Sequence, residues 1–164
     1  MLGHAWRATA APVQTSAGLT VGVESDSRDG WRVAPGLRAD LSFGRTTTED
    51  VGGGIMVRAD APAVSVIRGG LAPQLIVPVA GGAAASIAAG PLWTSDGLAS
   101  FARVELGSKS PNRHGHYGIH LGVFLEASAR RGWRPDDAIQ AGITVDFGLL
   151  ALPVLAAARP MGSP

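Results

Sequence analysis

The 164-residue chain carries 14 basic and 13 acidic side chains, a formal net charge of +1, and only 16% charged residues. Soluble domains average about 25%, so part of this surface is expected to face something other than water. Lys109 is the sole lysine and the arginines are scattered, which leaves no basic stripe for nucleic acid; the absence of cysteine excludes disulfides, thiol catalysis and zinc–cysteine sites.

In chain order, MLGHAWRATAAPVQTSAG has neither the charged start nor the continuous apolar core of a secretory signal. Residues 1–16 read as an irregular leader, residues 17–150 as one β domain, and residues 151–164 as an apolar, proline-containing tail. Turn signals cut the domain into eight ribbons, read as Gly18 to Ser27, Gly30 to Thr46, Val51 to Ala61, Val64 to Val79, Ala83 to Thr94, Gly97 to Ser108, Gly115 to Arg130 and Asp137 to Leu150. Helical spacing is weak, whereas period-two alternation dominates. In the second ribbon Trp31, Val33, Leu37, Leu41 and Phe43 alternate with Arg32, Arg38, Asp40 and Ser42. The seventh sets Tyr117, Ile119, Leu121, Val123 and Leu125 against His120, Gly122, Phe124 and Glu126, and the eighth sets Ile139, Ile143, Val145 and Phe147 against Gln140, Thr144 and Asp146. Successive side chains of a strand point to opposite faces, so each ribbon has one apolar side. Short connectors imply antiparallel neighbours, hence a meander that closes as an eight-stranded up-and-down β-barrel.

Residues 69–95 carry no charge, and an apolar run of that length is also the mark of a transmembrane helix. Pro73, Pro78, Gly81, Gly82, Gly90 and Pro91 lie inside it, and interior proline costs a helix about 3 kcal/mol and glycine about 1 kcal/mol. Gly81-Gly82 therefore reads as a hairpin turn between two strands. Pro73 and Pro78 point to a bulge or edge in the fourth ribbon.

Alternation alone does not say which face is inside. The polar face holds Arg32, Arg38, Asp40, Arg58, Asp60, Arg103, Glu105, His120, Glu126, Gln140 and Asp146 among Gly, Ala and Ser. Charges of both signs mixed with small residues suit a crowded lumen, where each charge needs a partner. Aromatics supply a second test. Alternate connectors of a meander share a rim, so Trp31, Trp93 and Trp133 fall at one end and Phe43, Tyr117 and Phe147 at the other, the arrangement of two interfacial aromatic girdles. With dyad stretches such as YGIHLGVFLEAS and AIQAGITVDFG, the chain resembles the small bacterial outer-membrane β-barrel proteins of the eight-stranded up-and-down class over roughly Gly18 to Leu150. The resemblance implies a bacterial outer-membrane location with membrane lipid around the barrel. Members commonly end on a strand with a terminal aromatic; Phe147 stands in that place here, although GLLALPVLAAARPMGSP follows it.

Candidate chemistry is sparse. His114, His116 and His120 with Glu126 have strand spacing that two or three imidazoles could use on a metal, a pattern of low specificity. His120, Glu126 and Ser128 invite comparison with lipid hydrolases, without a nucleophile elbow. The glycines of VGGGIM lack the Gly-Lys-Ser/Thr of a phosphate loop and are expected to relieve curvature or crowding against Arg38 and Arg58. The expected site is instead a lumen ion network of Arg38, Asp40, Arg58, Arg103, Glu105, His120, Glu126 and Asp146. No metal, cofactor or catalysis is implied. The expected function is a structural or interaction role with a plugged polar lumen, with protein partners in an assembly as a further expectation. The rivals are a soluble barrel or sandwich with an apolar ligand pocket, and a β-rich subunit of a larger membrane or surface assembly.

Overall fold

The structure, a computed structural model, describes residues 13–26, 30–44, 50–63, 66–79, 82–108, 121–130 and 137–147. They form eight strands: β1 (Gln14–Asp26), β2 (Gly30–Phe43), β3 (Gly52–Ala63), β4 (Val66–Pro78), β5 (Ala83–Thr94), β6 (Gly97–Ser108), β7 (Leu121–Ala129) and β8 (Ala138–Asp146). Each pairs antiparallel with the next, and β8 pairs with β1, so the meander closes on itself as a barrel.

The register shows how it closes. One row of partners runs Gln14–Ser42–Gly54–Gln74–Ala88–Arg103–Glu126–Gln140 and returns to β1 at Glu24, ten residues along the strand from its start. A stagger of that size tilts the strands by about 40° to the barrel axis. Every member of the row is buried. Their sequence neighbours on each strand point the other way. Leu19, Leu37, Ile55, Leu71, Ile87, Val104, Leu125 and Ile143, one from each strand, are all exposed on the outer surface.

That outcome decides the direction of the apolar face. Leu121, Val123 and Ile143 are 54%, 57% and 47% exposed, while Arg38, Glu105 and Glu126 are buried. A soluble barrel with an apolar bore requires the reverse, and a sandwich requires two open sheets, so both readings are overturned. The uncharged stretch 69–95 is β4 and β5, joined through a turn in which Gly82 has φ 79 and Val79 N donates to Ala83 O at 2.9 Å. No helix among the described residues is long and apolar enough to cross a membrane.

Several expectations are corrected. β1 begins at Gln14, inside the stretch assigned to the leader, because its lower half puts only Thr15 and Ala17 on the outer face and its alternation is faint. β8 ends at Asp146, short of the expected Leu150. The register shift expected from Pro73 and Pro78 falls instead between Asp60 and Ala63 of β3, a segment containing Pro62. The β4–β5 ladder is interrupted between Gly70↔Leu92 and Gln74↔Ala88, where Pro73 and Pro91 lack the N–H needed for rungs. Gly54 does not make room for Arg38 or Arg58: a Cβ there would stand 2.5 Å from the Leu41 carbonyl oxygen on β2.

The same crowding recurs where β8 approaches β1. A Cβ on Gly142 would run into the Val21 carbonyl oxygen and lie 2.8 Å from the Phe124 ring. Backbone carbonyls cannot swing aside as a long side chain can. Gly142→Ala is therefore expected to destabilise the folded barrel by about 1–3 kcal/mol. Urea unfolding followed by tryptophan fluorescence checks this; unchanged stability would mean that the β1–β8 seam is looser than described.

Candidate functional site

The interior side chains form a chain of alternating charge. Three links come from local sequence, because Arg38 and Asp40 on β2, Arg58 and Asp60 on β3, and Arg103 and Glu105 on β6 are two residues apart and so face the bore together. Arg38 Nη2 donates to Asp40 Oδ1 at 2.8 Å, Arg103 Nη2 donates to Glu105 Oε2 at 3.0 Å, and Arg58 bonds Asp60. Two more links join adjacent strands: Arg32 Nη2 donates to Glu24 Oε1 at 2.6 Å and Arg68 Nη2 to Asp60 Oδ2 at 2.6 Å. A third adjacent-strand link is longer, with Arg103 Nη1 3.7 Å from Glu126 Oε2.

The remaining links cross the bore. Arg38 reaches Glu105 from β2 to β6, Arg58 reaches Glu126 from β3 to β7, and Arg68 on β4 reaches Glu24 on β1. Joined in order, the chain reads Arg32–Glu24–Arg68–Asp60–Arg58–Glu126–Arg103–Glu105–Arg38–Asp40, with Ser16 Oγ donating to Asp40 Oδ2 at 3.0 Å at its far end. Five guanidinium groups and five carboxylates thus balance along the lumen. The cross-bore links have a particular cause. Arg38 and Arg58 are direct register partners, and like charges placed opposite one another destabilise a sheet. Each is held by its own acid two residues on and by a second acid from the opposite wall.

Aromatic rings and small residues complete the filling. Arg103 stacks over the Phe124 ring at 3.6 Å and Arg58 over Phe101 at 5.4 Å, placing cations against π faces in a water-poor space. Arg103 Nη2 also donates to Thr144 Oγ1 at 2.8 Å. On the β4–β5 side Met56, Ala72, Ala88, Leu92, Ala99 and Phe101 form an apolar cluster. The inward residues of β5 are short: Ala84 packs with Ile76, and Ala88 belongs to the apolar cluster, with Ser86 buried between them.

Of the residues expected in the network, the structure places Arg38, Asp40, Arg58, Arg103, Glu105 and Glu126 in this chain. Asp146 stands half-buried at the end of β8, and His120 lies outside the described residues. The other four members are Arg32 and Asp60, which the sequence places on the polar face without assigning them to the network, and Glu24 and Arg68, which sequence reasoning missed altogether. Glu24 shares a face with Thr20 and Gly22, a signal that was available; Arg68 is masked by the inward Ala72 and Ile76 on its own strand. Trp31 and Trp93 are 77% and 51% exposed near the β1–β2 and β5–β6 turns, while Phe43 and Phe147 are exposed at the opposite end. Trp133, Tyr117, His114 and His116 lie outside the described residues. Among the described residues no group of His, Asp or Glu is arranged to hold a metal, and Glu126, considered for metal or hydrolase chemistry, is engaged by Arg58 and Arg103.

No protein-family model matches the chain, and no curated protein matches it in sequence. Among solved structures, the solution NMR structure of the de novo designed transmembrane barrel TMB2.3 is similar, with a TM-score of 0.50 and 13% identity over 85% of this chain and 97% of the design. The shared fold is an eight-stranded, antiparallel, up-and-down closed β-barrel. At that identity the likeness concerns the path of the backbone alone.

The buried chain and the rim pairs should respond differently to truncation. Arg103→Ala strips Glu105 of one of its two arginines and leaves a gap beside Phe124, so a loss of about 3–5 kcal/mol is expected. Arg130 pairs at 3.1 Å with Asp96, which is 72% exposed, and Arg130→Ala is expected to cost under about 1 kcal/mol. Chemical denaturation of both variants in the same detergent makes the comparison; equal losses would sink the claim that the lumen chain is the stabilising element.

Proposed function

We propose that this chain is a bacterial outer-membrane barrel whose lumen is plugged by its own charge chain, and that its role is structural or as an interaction platform rather than catalytic. The observation that carries the reading is the inversion of polarity. Monomeric soluble proteins rarely expose contiguous apolar patches beyond about 300–600 Å², whereas here every strand contributes exposed Leu, Ile or Val to one belt. Hydrocarbon is the solvent that such a belt fits, and a closed barrel leaves no unpaired strand edge in it. The positions of Trp31 and Trp93 at one end and Phe43 and Phe147 at the other agree with two interfacial girdles. Lipid is then the immediate partner, no cofactor is needed, and other protein partners would meet the turns at either end.

An eight-stranded barrel has a bore that side chains can fill, and here ten charged side chains and the Phe101 and Phe124 rings occupy it. The barrel is therefore expected to insert without steady ion conductance in a planar bilayer. In vesicles, Trp31 and Trp93 fluorescence should be quenched by headgroup-region quenchers and little by deep acyl-chain quenchers. Leu125→Arg, placing a charge in the middle of the exposed face of β7, should cost about 2–4 kcal/mol of folding stability in vesicles. A folded chain that stays soluble without lipid or detergent, or that tolerates Leu125→Arg freely, would overturn the membrane reading.

A further inference from the structure

We draw no further inference here: the strongest candidate, the apolar depression over Ala17 and Ala39 on the outer wall of β1 and β2, bordered by Leu41, Ile55, Val57 and Phe147, is a patch of small residues in the exposed apolar belt, and nothing in the structure shows what covers it.

Discussion

The neutralisation of arginine inside a closed wall is the constraint on which the rest of this fold depends. A guanidinium taken out of water costs several kcal/mol unless its hydrogen bonds and charge are met, and a barrel without an aqueous bore gives it nowhere to turn. Arg38 and Arg58 show how narrow the solution is. They are register partners, so the sheet forces two cations together, and each needs acids from its own strand and from across the bore. The cross-bore pairs Arg38–Glu105 and Arg58–Glu126 tie β2 and β3 to β6 and β7, strands with which they share no ladder. They fix the barrel's cross-section.

Small residues answer a second packing demand. The inward positions of β5 are Ala84, Ser86 and Ala88, with Ala84 packed on Ile76 and Ala88 in the cluster around Met56 and Phe101. Where β8 meets β1 there is room for Gly142 and nothing larger. On the outer face the trade is reversed: Phe43 lies over Gly53, its cross-strand partner, with the ring 3.2 Å from where a Cβ would be, so an aromatic covers backbone that a glycine leaves bare. Charge inside, hydrocarbon outside and glycine at the close approaches are one solution to a single packing problem.

Much of this was legible in the sequence, for a physical reason. Period-two alternation is written residue by residue, so the eight ribbons, the direction of the polar face and six of the network residues could be read from spacing. Same-strand pairs such as Arg38 with Asp40 are visible as residues two apart. Partners across the bore are not, because they depend on the ten-residue stagger, which is a property of the closed sheet and of no single strand. Arg68 was missed because its strand carries Ala72 and Ile76 on the same inward face, which blurs the contrast between faces. Met56, Leu92 and Phe101 were missed for the same cause: the bore is not uniformly polar, and one wall of it is a small oil drop. Gln14 was left outside the domain because Thr15 and Ala17 make a poor apolar face.

The stagger also sets what kinds of change this barrel can absorb. One residue added within a strand turns every later side chain of that strand through the wall, sending guanidinium groups toward hydrocarbon and leucines into the salt-lined bore. Two residues added together restore the facing yet slide each charge past its mate. Length variation is therefore confined to the turns, and the strands are free to vary only by exchanging one side chain for another of like polarity.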